Sequence, residues 1–327
     1  MKAWRRLRRR VLTPDASQTA VDVRGFHVKN EESREVLETV GGSFLGGFAI
    51  AAEAARPADA EKPLETTPDR YRGFAYEGAA MAFAIRDALP GRSDYVRQFL
   101  AGCGDEHIYM AYVGVGWALA RLPQLLWKRL HAPDPLLRWL VLDGYGFHQA
   151  YFKTTRYVHQ CYREPSFPWP ADSSTTYAVR AIDQGIGRAS WFVAGTDPRR
   201  LADLFSAFPR HRYPDLWAGA GLAAAYAGGA SAEELRWLRN ASGPYHADLA
   251  QGAAFAAGAR TRAGLVVPHN ELAARELCDM SVEAAAKVTD DARIDLPPDA
   301  DVPAYEVWRQ RTKHHFRLAR ESKAEKA

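Results

Sequence analysis

Six times along the chain a glycine opens a seven-residue stretch in which small residues recur at every second position. The stretches start at Gly78, Gly114, Gly144, Gly185, Gly219 and Gly252, and successive starts lie 36, 30, 41, 34 and 33 residues apart. That spacing is the period of helix-pair repeats. On a helix turning by about 100° per residue, the first and fifth residues of a stretch share one side and the third and seventh share the opposite side. Both sides are small, so such a helix can be sandwiched closely between two neighbours, as stacked repeats require. Glycine costs about 1 kcal/mol against alanine inside a helix, and its recurrence at matching places implies a packing gain that offsets the cost.

A further face is formed by the residue before each first glycine and the residue three after it. It carries Glu77 and Met81, Val113 and Trp117, Asp143 and Phe147, Gln184 and Arg188, Ala218 and Leu222, Gln251 and Phe255. In a helical array this mixed face either lines a concave surface where a ligand or peptide lies, or forms ordinary core with a few satisfied polar groups.

Alternating β pattern is scarce, and the fold class expected is all-α: a helix-pair repeat array, solenoid or toroid-like, of about six to seven repeats of about 34 residues. Gly46, 32 residues before Gly78, marks a degenerate first repeat. Asp197-Pro198 reads as a helix start, Gly228-Gly229 as a helix stop, and Ser231-Ala232-Glu233-Glu234 as a capping box. The expected organisation is a basic N-terminal arm over 1–20, a helical repeat domain over 21–295, and a C-terminal helix or tail over 296–327. The proline-rich string from Glu164 to Pro170 divides the repeat domain into halves at 40–162 and 175–290.

No apolar stretch follows the basic start, none reaches the length of a membrane span, and the three cysteines form neither CxxC nor an even set. A cytoplasmic protein without disulfides is expected. The arm holds Lys2, Arg5, Arg6, Arg8, Arg9 and Arg10 with Trp4 and Leu7 at helical spacing, a composition found both in solvated termini and in segments that touch anionic surfaces. Elsewhere charge is balanced, so no nucleic-acid partner is expected.

Where other stretches place a small residue fifth, the third places His148, and the fourth ends in Trp191. An imidazole at a close-packing position either fills a groove or marks a pocket, and it titrates near neutrality, which makes His148 the first candidate for general acid–base work. Asp143 and Glu77 are the candidate carboxylates, with Asp183 near an equivalent place; such acids on a concave face can protonate a polyene or stabilise a cation. Trp117, Tyr145, Phe147, Tyr151 and Trp191 are the candidate apolar walls, and His107, beside Asp105 and Glu106 at a helix end, is expected to converge on His148. No HExxH, no phosphate loop, no GxSxG elbow and no dinucleotide fingerprint is present, so neither a metal nor a cofactor is expected.

Three strings, Phe74 to Met81, His107 to Ala118 and Leu142 to Phe152, resemble an actinobacterial family of unknown function, domain of unknown function 1702, whose members lie in enediyne antibiotic gene clusters beside the polyketide synthase. The resemblance runs from about Phe44 to His269. It implies an accessory role in enediyne biosynthesis, between the synthase product and the enediyne core, and supplies no catalytic residues. Two functions follow as expectations. In one, an apolar groove binds a conjugated polyene or polyketide intermediate and helps to cyclise or desaturate it, with His148 and a carboxylate taking part. In the other, the array is a non-catalytic scaffold or chaperone-like partner of the polyketide synthase and tailoring enzymes. Whether the protein is an enzyme stays open between them.

Overall fold

The computed structural model describes residues 2–91, 93–169 and 175–324, and among these every regular element is helical. In chain order the α-helices are α1 (Lys2–Leu12), α2 (Val21–Arg24), α3 (Glu31–Glu53), α4 (Ala58–Glu65), α5 (Asp69–Ala88), α6 (Tyr95–Leu100), α7 (Ile108–Arg121) and α8 (Trp139–Phe152). Then follow α9 (Thr175–Val193), α10 (Pro198–Ser206), α11 (Tyr213–Ala227), α12 (Ala232–Ala241), α13 (His246–Arg262), α14 (Pro268–Ala273), α15 (Val282–Arg293) and α16 (Ala304–Ala324).

Local chemistry sets the boundaries. Asn30 caps α3 by accepting from the Ser33 amide at 2.8 Å, Asp197 caps α10 ahead of Pro198, and Ser231 and Glu234 close a reciprocal box at the start of α12. Gly228 ends α11 at φ 77°, a backbone region that side chains rarely enter.

The helices that carry the small-residue stretches are the central ones. α3, α5, α7, α8, α9, α11, α13 and α15 pack in that order, each on the next, while α10 and α12 pack on each other outside α9 and α13. The reason is visible at the glycines. A Cβ on Gly144 would stand 2.1 Å from the Val113 carbonyl oxygen of α7, and one on Gly146 would stand 2.1 Å from that of Ile182 on α9. Gly219 and Gly221 repeat the arrangement, at 2.0 Å from the Gln184 oxygen of α9 and 1.9 Å from the Leu249 oxygen of α13. The first glycine of a stretch thus meets the preceding helix and the third meets the following one, with backbone against backbone.

α3 joins this series through Gly47, whose Cβ would fall 1.9 Å from the Ala75 oxygen, whereas Gly46, the position expected from spacing, has open space around it. The two differ by one residue, which turns the small face by about 100°.

α8 and α9, which flank the proline-rich string, pack side by side. Early and late helices also meet. Phe74 of α5 packs edge-on against Tyr226 of α11 at 5.2 Å, Lys29 donates to the Gly229 carbonyl at 2.8 Å, and Arg260 of α13 donates to the carbonyls of Arg70 at 2.9 Å and Tyr226 at 2.8 Å. The C-terminal segment contributes α16, which packs on α13 and α15 and buries Tyr305, Trp308 and Arg309. The N-terminal arm contributes α1, held on α3 by Arg8, whose guanidinium donates to the carbonyls of Ala52 at 2.6 Å and Ala54 at 2.8 Å.

Candidate functional site

The face predicted between the small sides points inward and lines two adjoining cavities. The larger is bounded by Glu77 and Met81 of α5, Trp117 of α7, Phe147 and Tyr151 of α8, Arg188 and Phe192 of α9, and Leu222 and Tyr226 of α11, with Phe44 of α3 opposite. Each pair steps by four residues, one helical turn, so its side chains lie above one another on a single face. About 790 Å³ is free of protein atoms there, solvent at the mouth included, and it is spread narrowly between the side chains. The space is therefore a thin slot. Its walls are aromatic: Trp117 lies 4.4 Å from Phe44 and 5.3 Å from Phe147, and Phe147 lies 5.2 Å from Phe192. Arg188, Leu222 and Tyr226 also border the smaller cavity, lined on its far side by Tyr109, Phe255 and Trp308.

Three ionisable groups stand in this apolar setting. Arg188 is ion-paired with Asp143, which also accepts from the Gln184 amide at 2.7 Å. Burial opposes the charge on Arg188, but Asp143 and then Glu77 more than offset it and hold the guanidinium above its usual range. Burial pushes the Glu77 carboxyl up to about 7; Arg188 pulls it back down, and the charge of Asp143 pushes it further up. Trp117 turns its indole N–H toward Glu77 and favours the ionised form without completing a full hydrogen bond. Asp143 thus takes up the charge of Arg188, and Glu77 is left as a carboxyl able to give or take a proton near neutral pH.

His148 lies on the α7 side of α8, its ring 5.5 Å from Trp117 and 4.7 Å from Phe152, near the mouth formed by Thr19, Gly41, Arg121 and Phe152. Burial, then the charge of Arg121, lowers it to about 3, so the ring is neutral at neutral pH. Its Nδ1 is buried with no hydrogen-bond partner. The group near 7 in this cavity is therefore Glu77 and not His148: burial raises the carboxyl against the pull of Arg188, whereas burial lowers the imidazole and the charge of Arg121 lowers it further.

Of the sequence candidates, Glu77, His148, Trp117, Phe147 and Tyr151 share the larger cavity, and Asp143 sits beneath it on Arg188. Three aromatic candidates do not reach it. Trp191 is fully buried and donates to the Gly228 carbonyl at 3.0 Å; its neighbour Phe192, four residues after Arg188, holds the inward position. Tyr145 is turned half a circle from the inner face, against Phe167 at 4.7 Å, and accepts from Gln149 at 2.9 Å. His107 stacks on Tyr76 at 3.7 Å and does not converge on His148. Asp183 likewise faces away, paired with Arg212 at 2.7 Å. Phe44, Phe192 and Tyr226 were missed; extending the four-residue ladder by one turn on α9 and α11 finds the last two.

The chain belongs to the family described as protein of unknown function (DUF1702), whose model matches residues 3–316. No curated protein and no solved structure matches it.

Proposed function

We propose that this member of the DUF1702 family binds a slender, apolar, conjugated chain, a polyene or related polyketide intermediate of enediyne biosynthesis, in the slot between α3, α5, α7, α8, α9 and α11. The carrying observation is a carboxyl raised to about 7 inside a thin, aromatic-walled cavity. A narrow space lined by aromatic rings suits a flat π system better than a bulky aliphatic one, and burying such a chain is favourable by about 25 cal/mol per Å² of apolar area. The placement of orphaned His148 Nδ1 and exposed Arg121 at the mouth suits a polar terminus of the chain, such as a carboxylate.

Chemically, the protonated Glu77 adds its proton to one double bond of the bound chain. The cation so formed faces aromatic rings, closes on a second double bond of the same chain, and returns a proton to the Glu77 carboxylate. No atoms are gained or lost and no oxidant is required, so the product is an isomer with shortened conjugation. The architecture that fits this role is a repeat array curled into a closed or nearly closed ring around the slot; contacts of α5 with α11 and of α13 with the start of α5 support it.

The test is co-expression with a polyene-forming synthase, followed by purification, absorption spectroscopy and mass spectrometry of the extracted ligand. The expected result is a bound chain that Glu77→Gln protein retains with full conjugation and the unaltered protein converts to a product of equal mass absorbing at shorter wavelength. A protein that elutes empty would refute the reading, and one that elutes empty but carries the synthase with it would establish the scaffold role instead.

A further inference from the structure

We propose that α1 is an interfacial helix that docks the protein on an anionic lipid bilayer. The observation is an inversion of ordinary packing. On this helix Trp4, Leu7 and Val11 face solvent, 65%, 50% and 72% exposed; of its large apolar side chains only Leu12, at its end, packs on the body of the protein, and Arg8 anchors the helix there through the carbonyls of α3. Positions 4, 7 and 11 fall within one narrow arc of a helix, so the three form a single stripe. A monomeric helix normally turns such a stripe inward. Its outward direction is fixed here by the Arg8 contacts.

Beside the stripe stand exposed Arg6 and Arg10, and Arg9, which also pairs with Glu53 at 3.0 Å; the helix itself contains no acidic residue. An apolar stripe with a tryptophan, bordered by arginines, is the arrangement that sits at the boundary of headgroups and acyl chains. Polyphosphates would pair with the arginines and leave Trp4, Leu7 and Val11 in water, so the stripe favours a bilayer over nucleic acid. At 11 residues the helix reaches about 16 Å, short of the roughly 30 Å hydrocarbon core, so it lies on the membrane and does not span it. None of the described helices is long and apolar enough to cross one.

Pro14, Gln18 and Thr19, which follow α1 almost at once, line the larger cavity. A docked α1 would bring this part of the cavity lining near the bilayer. The proposal for α1 stands whatever the cavity holds.

The test is sedimentation of the full chain with vesicles of phosphatidylcholine, with and without phosphatidylglycerol, at low and high salt. The expected result is pelleting with the anionic vesicles at low salt and none with phosphatidylcholine alone. The combined substitution Trp4→Ser, Leu7→Ser, Val11→Ser should weaken partitioning by at least about tenfold. Arg6→Gln with Arg10→Gln, which leaves the stripe intact, should weaken it by roughly fivefold per arginine at low salt and by less at high salt. Five residues of the helix, all exposed, are altered, and circular dichroism is expected to show both variants folded. Absence of pelleting by the unaltered protein on anionic vesicles overturns the proposal. So does a triple variant that pellets undiminished, a dimer that the triple variant abolishes, or a tighter affinity for duplex DNA that the triple variant leaves unchanged.

Discussion

Adjacent glycines on α3 offer a test of what holds the central helices together. Gly46→Ala and Gly47→Ala bring the same gain in helix propensity, about 1 kcal/mol each, because both sit inside one helix. Only their surroundings differ. A methyl on Gly46 meets nothing within 4 Å, whereas one on Gly47 would lie 1.9 Å from the carbonyl oxygen of Ala75 and 2.5 Å from its carbon. Carbon and oxygen in contact need more than 3.0 Å, and no rotamer can relieve a clash with backbone, so α3 and α5 must part by at least about 1 Å. A gap of that size forfeits a quarter to a half of the dispersion energy along the seam, and a clash with backbone carries overpacking somewhat past its usual range, to about 4 kcal/mol; after the propensity gain we expect a net loss of about 3 kcal/mol. At about 2.1 cal/mol/K per residue of unfolding entropy, 1 kcal/mol shifts the melting temperature of a chain this long by about 1.5 °C. Gly46→Ala should therefore raise Tm by about 1 °C and Gly47→Ala lower it by about 4 °C, as followed by calorimetry. If the two move together, or Gly47→Ala melts at or above the unaltered protein, backbone contact across the seam is not what sets the helix spacing.

Glu77 binds its proton up to about 7 in the fold and to 4.5 ordinarily, so the stability this contributes is full below 4.5 and is lost as pH rises through 7. Relative to the unaltered protein, Glu77→Gln should gain about 3 kcal/mol between pH 4.5 and 8, measured by denaturant titration at each pH; a constant difference would show that Glu77 is not raised. His107, His148 and His269, lowered to about 4, 3 and 4 by burial, act in the opposite direction: their contribution is present above 6.5 and lost as pH falls toward 4, and His148→Phe should flatten that acid limb. Asp143→Ala leaves Arg188 buried without its partner and should cost about 3–5 kcal/mol, while Asp143→Leu with Arg188→Met should recover most of it, as read from urea midpoints. His148→Ala should weaken retention of a bound polyene by about tenfold, scored by the absorbance that survives dialysis, through loss of one polar partner at the mouth.

The seams were legible in the sequence because a requirement for the absence of a side chain leaves glycine as its only solution, and Gly144 with Gly146 states on which two sides α8 is flanked. The inner face followed from the same geometry, and Glu77, Trp117, Phe147 and Arg188 are all on it. What stayed hidden depended on partners far away in the chain. Trp191 and Phe192 are equally aromatic, and only the direction of α9 decides which faces in. Nothing local to Glu77 reveals how deeply the fold buries it, or that Arg188 and Asp143 stand near it with opposing effects. The burial of α16 was hidden for the same reason: its charged surface composition conceals that Arg309 meets Asp215 at 2.8 Å in the interior.

The glycine seams also dictate how this scaffold can change. Where helices touch through side chains, a cavity can be enlarged by letting the walls slide apart. Here Gly116, Gly144, Gly185 and Gly219 bring main chains into direct apposition, so the spacing of these helices is fixed and any change in the cavity between them must come from exchanging what projects into it. Positions 81, 117, 147, 192 and 222 are then the adjustable lining of a fixed mould. The shape of the cavity and the spacing of its walls are thus set by different residues of the same helices.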